Sequence, residues 1–140
     1  MNQSVLIQSE SLRLSLDFEV FEEELSLPSN TLLSVSLTSD CFSASTSLDL
    51  DAKELPAFLD ALRRLYDSLQ GEAVLQEPYG QRQYLSFRAD GLGHVAVSGR
   101  LHSCGAGGHF QELRFENDID QTYLPPLLAA LTSLTKQAIS

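Results

Sequence analysis

At 140 residues, 43% hydrophobic and 20% charged, with 8 Gly and 5 Pro and no low-complexity tract, the chain has the size and composition of one globular domain over residues 1–140. Its 19 acidic against 9 basic residues leave a net charge of −10, which repels nucleic acid and anionic lipid and attracts basic partners. No stretch reaches the roughly 18 apolar residues of a membrane span, residues 1–10 lack the basic start and apolar run of a signal peptide, and Cys41 and Cys104 make no disulfide framework, so a cytoplasmic chain with free thiols is expected.

Val5 and Ile7 alternate with polar residues and predict a short first strand over residues 4–9. Leu12, Leu14, Leu16, Phe18 and Val20 then alternate with Arg13, Ser15, Asp17 and Glu19, a period-2 strand with one wet face. Turn residues in 27–30 mark a loop, Leu33, Val35 and Leu37 a third strand, and Phe42, Ala44, Thr46, Leu48 and Leu50 a fourth. Together they read as an antiparallel meander of amphipathic strands.

In residues 51–70 the period changes. Leu55, Phe58, Leu59, Leu62, Leu65, Tyr66 and Leu69 form one stripe at helical spacing, with Asp60 and Arg64 set for an i,i+4 pair on the other side. Asp51 with Glu54 fits a capping box, and Leu50 with Leu55 a hydrophobic staple. Pro56 forbids a regular start before it, so a separate turn near 52–54 and a helix from about Leu55 are expected, ending at Gly71.

Residues 73–77 carry a faint strand pattern, and Gln83, Leu85, Phe87 and Ala89 a firm one. Asp90-Gly-Leu-Gly93 turns the chain into a strand of Val95, Val97, Gly99 and Leu101, and a glycine-rich loop at 103–108 leads to a last strand over 110–115. A second helix over about 124–138 carries Leu127, Leu128, Leu131 and Leu134, with Pro125 and Pro126 in its first turn. No internal repeat stands out. The expected fold is α+β, an antiparallel sheet, curved or in two parts, in the order ββββ-α-ββββ-α.

Candidate chemistry is sparse. His102, Cys104 and His109 lack the short fixed spacing of a zinc site, and the Cys104–His109 glycines join two strands, unlike a phosphate loop. Asp118 and Asp120, ahead of the second helix, suit helix capping better than acid–base work. Tyr84, His94 and Asp120 are the polar groups that a pocket between sheet and helices would have to bring together. No catalytic residue, metal or cofactor is expected. The most concentrated signal is Asp17, Glu19, Glu22, Glu23 and Glu24, a run of carboxylates with Arg13 as the one base near it.

The segment 55–59 (Leu-Pro-Ala-Phe-Leu), the hairpin from Phe87 to Val97, Leu113-Arg-Phe115 and Asp120-Gln-Thr-Tyr-Leu124 together resemble a family of small bacterial domains related in pattern to WapI-type immunity proteins. The resemblance spans nearly the whole chain in order of elements. It implies a cytoplasmic partner that neutralises a contact-delivered toxin, often a nuclease, and supplies no catalytic residue. Gly91, Gly93 and His94 match the family's turn, and Asp120, Gln121 and Thr122 its pre-helix motif. The acidic N-terminal strands and the 104–108 loop have no counterpart in it. Charge and resemblance together favour non-enzymatic binding of a basic protein, with no nucleic acid or membrane partner. A small-molecule or enzymatic domain and a homo-oligomer subunit are the alternatives.

Overall fold

The structure is a computed structural model and describes residues 1–27, 29–79, 82–103 and 107–139, the side chains of 137–139 excepted. Pro28 of the first loop and most of the expected 104–108 loop, Cys104 included, therefore lie outside the described residues.

Strict apolar–polar alternation gives two four-stranded antiparallel meanders. The first contains β1 (Asn2–Gln8), β2 (Leu12–Val20), β3 (Thr31–Ser39) and β4 (Phe42–Leu50), and the second β5 (Gln70–Gln76), β6 (Tyr84–Asp90), β7 (His94–His102) and β8 (Glu112–Asp120). Helices α1 (Leu55–Ser68) and α2 (Pro125–Ile139) follow the two sheets in turn. The expected α+β class and element order are observed, in the two-part form. Inward side chains of both sheets join Leu55, Phe58, Leu59, Leu62 and Leu65 of α1 and Leu127, Ala130, Leu131 and Leu134 of α2 in one apolar cluster. Helix α1 lies against β5, β6 and α2, and α2 against β1.

Pro56 has the expected consequence: a 3₁₀ turn, Ala52–Glu54, precedes the regular helix. Asp51 caps that turn by accepting from the Lys53 backbone N–H at 3.0 Å, an Asx turn in place of the capping box. Three local expectations need correction. The left-handed residue that ends α1 is Leu69, at φ 59°, because the chain must reverse at once into β5, and Gly71 already belongs to that strand. Arg64 donates to the Asp60 carbonyl and makes no i,i+4 ion pair. Strand β8 runs on to Asp120, with Asn117 and Ile119 inward, where sequence chemistry suggested a loop.

The two halves are also built alike, contrary to the absence of a repeat in the sequence reading. Each runs through four strands, an Asp-capped 3₁₀ turn and a Pro-started helix. At one constant interval Asp49, Asp51, Leu55, Pro56, Leu59, Ala61, Leu62 and Leu65 recur as Asp118, Asp120, Leu124, Pro125, Leu128, Ala130, Leu131 and Leu134. The repeat runs from the last residues of β4 and β8 through the turn and helix, where cap geometry and helix packing restrict the residue types. The rest of each strand keeps only the alternation, which any sequence of the right pattern satisfies.

Side chains tie the sheets together along β4. Buried Gln83 donates from Nε2 to the Ser47 carbonyl at 2.7 Å and accepts from the His102 N–H at 3.1 Å. The Glu77 carboxylate accepts from Asp49 N–H at 3.0 Å and from Gln83 N–H at 2.9 Å. Farther along, Asn117 bridges Ser11 and Ser39. The bonds to the Ser47 carbonyl and the Asp49 N–H occupy edge groups of β4 that would otherwise template pairing with another chain.

At the centre of the second sheet Gly99 sits so close to its neighbours that a Cβ would lie 2.7 Å from both Phe115 Cε1 and the Tyr84 carbonyl oxygen. The ring can move, but the β6 backbone cannot without disturbing its ladder. Gly99→Ala is expected to destabilise by about 1–3 kcal/mol, read from chemical denaturation.

Candidate functional site

Strand register puts Asp17, Glu19 and Asp49 on the outer face of the first sheet. Pairing sets Asn2, Glu19, Leu32 and Asp49 in one cross-strand row and Ser4, Asp17, Ser34 and Ser47 in the next. Neighbouring strands lie about 4.8 Å apart, so Glu19 and Asp49 stand roughly 10 Å from each other. A third row holds Leu6, Ser15, Ser36 and Ser45. Beyond β2 the chain winds through the 3₁₀ turn Glu22–Glu24, whose three carboxylates are exposed. Register thus sets Asp17 and Glu19 on the outer face with Asp49 of β4, which the sequence reading did not single out, in the same row as Glu19, while Glu22, Glu23 and Glu24 are exposed in the turn that follows β2.

Small side chains shape this surface. Asp17, Ser34, Ser36, Ser45 and Ser47 line a shallow depression of about 450 Å³. Ser4 donates to Asp17 at 2.5 Å, and the Ser36 and Ser45 hydroxyls meet at 2.9 Å. Among the described residues the ion pairs are His94–Asp90 and Arg114–Glu112, both on the second sheet, and none of the five clustered carboxylates takes part in either. Arg13 sits on β2 four residues from Asp17, about 13 Å along the strand. The N-terminal ammonium is nearer, donating to the Val20 carbonyl at 3.3 Å between Glu19 and Glu22.

Asn30 anchors the acidic turn to the core and was not foreseen, because an Asn in a Leu-Pro-Ser-Asn loop reads as a turn former. It is fully buried, at 0% exposure. Its Nδ2 donates to the carbonyls of Leu27 (2.9 Å) and Leu25 (3.4 Å) and to Asp51 Oδ1 (3.3 Å). Its Oδ1 accepts from Thr31 Oγ1 at 2.9 Å and from Ala52 N–H at 2.8 Å. One side chain thus fixes the loop after Glu24 against the start of the 3₁₀ turn that leads into α1.

The second group of candidate residues does not converge. His94 and Asp120 face each other across β7 and β8, but Tyr84 lies opposite Arg100 at the far end of β6. Over the 7 residues of β6 that separation is roughly 20 Å. All three are on the outer face, away from the helices. A cleft of about 370 Å³ does lie between α1 and β5, lined by Ala57, Phe58, Ala61, Val74 and Leu75 with Glu54, Glu77 and Arg82 at its rim.

His94 belongs to a tight turn. Asp90 accepts from the backbone N–H groups of Leu92 (2.7 Å) and His94 (3.2 Å), and its Oδ2 lies 3.4 Å from His94 Nδ1. The Leu92 hydrogen bond, helped by that of His94 and the imidazolium charge, holds the Asp90 carboxyl below its ordinary value. A carboxyl depressed on folding stabilises above its unfolded pKa, and that contribution is lost as pH falls through the folded value. The Asp90 carbon resonance in an NMR titration is therefore expected to turn over below the usual aspartate range, with the turn loosening there.

Residues 6–138 match the family described as the immunity protein WapI-like family. The chain belongs to that family. Membership points to toxin-neutralising protein binding, and a toxin is the partner class it implies. Curated proteins yield no match to this WapI-like chain. Among solved structures it is similar to WHY1 from Arabidopsis thaliana, with a TM-score of 0.55 at 12% identity, covering 100% of this chain and 92% of that one. A likeness at that identity is one of fold.

Proposed function

We propose that this WapI-like protein is a non-enzymatic cytoplasmic inhibitor that covers a basic surface of its toxin with the acidic face of its first sheet. The observation that supports this reading is the succession of Asp17 and Glu19 on the outer face of β2 and the exposed Glu22, Glu23 and Glu24 in the turn that follows, none of them ion-paired among the described residues. A nuclease toxin is the fitting class. Such an enzyme carries positive charge where nucleic-acid phosphates bind, and a carboxylate-rich face can occupy the same ground. The charge speeds encounter, while buried apolar contacts around it set the lifetime of the complex.

The test is a titration of purified toxin activity with the purified protein. A stoichiometric inhibitor abolishes activity at an equimolar endpoint that does not change with incubation time. An endpoint far below equimolar that falls as incubation lengthens would show turnover and overturn the reading.

A further inference from the structure

Strand β5 is an edge of the second sheet, paired with β6 alone among the described residues. The pairing phase tells which of its backbone groups are open. Glu77 N–H donates to the Gln83 carbonyl at 3.1 Å, so Leu75 and Ala73, in step with Glu77, turn their polar groups toward β6. Gln70, Glu72, Val74 and Gln76 turn theirs outward. Ser68 Oγ, whose proton goes to the Arg64 carbonyl at 2.6 Å, accepts from the Gln70 N–H at 3.3 Å and covers that end of the strand. The N–H and C=O groups of Glu72, Val74 and Gln76 remain open to solvent, and Val74 is 41% exposed.

Two concavities flank this open stretch, one on each side of the strand. Toward α1 lies the apolar-floored cleft of about 370 Å³, with Ala57, Phe58 and Ala61 opposite Val74 and Leu75. On the outer face a polar depression of about 340 Å³ is lined by Glu72, Val74, Gln76, Tyr84, Ser86, Arg88, Ala96 and Ser98. Side chains of an extended chain alternate between two sides. A strand laid beside β5 would place one set in the apolar cleft and the other in the polar depression.

We propose that the β5 edge binds an extended segment of a basic partner protein by strand addition, with apolar side chains toward α1 and polar ones toward the outer depression. This goes beyond the acidic face, resting only on the reading that the protein works by binding another protein. Glu72 stands opposite Arg88 across the β5–β6 ladder, so the outer depression is balanced, and the acid in excess beside the edge is at the cleft, Glu54 and Glu77 against Arg82. That excess of acid, in a chain of net charge −10, opposes a second copy at this edge and favours a segment carrying Lys or Arg. Main-chain bonds would supply affinity and the two concavities the choice of sequence.

The probe is a synthetic heptapeptide, acetyl-Thr-Val-Lys-Val-Thr-Val-Lys-amide, added to the ¹⁵N-labelled protein. At about ten times its Kd, amide exchange at Glu72, Val74 and Gln76 is expected to slow about tenfold, since only the free fraction exchanges. The same peptide N-methylated at alternate residues should not protect them. Val74→Pro removes one open N–H at an edge position that tolerates proline, and Ala61→Arg fills the cleft without touching the backbone; each should abolish the protection. The Ala61→Arg result stands alone if the proline variant does not fold. Absence of protection at β5, protection at β1 or β8 in its place, or a β5-mediated dimer of the free protein would each overturn the proposal. The Asp17→Lys, Glu19→Lys, Glu23→Lys variant leaves the β5 edge and both concavities intact and should still show the protection once the peptide is raised to about ten times its Kd for that variant, so failure of the acidic-face reading would be seen separately.

Discussion

Replacing Asp17, Glu19 and Glu23 by Lys is expected to slow association with a basic toxin by about 100-fold at low salt while changing dissociation far less. Steered association exceeds the unsteered rate by roughly 10–1000-fold, and the three substitutions reverse the sign of the field at the centre of the face. The effect should shrink as ionic strength rises, because the Debye length falls to about 8 Å at physiological salt. Stability should change little, since none of the three carboxylates is fully buried or ion-paired; the one hydrogen bond lost is that of Ser4 to Asp17. Stopped-flow association over a salt series reads the result. An unchanged rate would remove this surface from the interface.

Asn30→Ala is expected to be the most costly single substitution of a polar residue. It strips partners from the buried Ala52 N–H and Thr31 Oγ1 and from the part-buried Leu25 and Leu27 carbonyls. Leaving such groups unpaired costs about 1–3 kcal/mol each before relaxation, and a net loss of about 3 kcal/mol is expected, lowering Tm by roughly 10 °C. Asn30→Asp should not rescue it, because a carboxylate would face the Asp51 Oδ1 and two carbonyls that now accept from Nδ2. A second effect separates this residue from an ordinary core position. The loop carrying Glu22–Glu24 loses its tether, so toxin association should slow in the folded fraction as well. Equal association of folded Asn30→Ala and the parent protein would confine Asn30 to stability.

The elements were readable where a single physical constraint dominates. Alternation fixed β2 and β4 to their end residues, and the conflict between Pro56 and a helix interior predicted both the 3₁₀ turn and the start of α1. The weak points were residues whose chemistry serves two masters. Asn117, Asp118 and Asp120 are loop formers by propensity, yet they end β8, because Ile119 packs inward and Asn117 finds Ser11 and Ser39. Strand β5 was faint because its inward residues are few and Gly71 stands within it. The division into two sheets was left open, since a period-2 pattern says which side of a strand is apolar and nothing about which strands share a ladder.

The candidate site shows the same split. The charge of Asp17, Glu19 and Glu22–Glu24 is visible in the chain, and alternation already put Asp17 and Glu19 on the wet face of β2. Register brings Asp49 alongside Glu19 and lays small serines between the carboxylates, and no local pattern reports register. The burial of Asn30 is equally a tertiary fact. Conversely, Tyr84, His94 and Asp120 looked combinable in sequence only because the length of β6 was not yet a distance.

The most direct measurement is hydrogen–deuterium exchange of the protein free and in complex with its toxin, read peptide by peptide. The acidic-face account predicts strong protection over residues 13–25 and at Asp49 in β4, with the tip of the β6–β7 turn around Leu92 unchanged. Protection centred on that turn or on β8, with residues 13–25 exchanging as in the free protein, would contradict it.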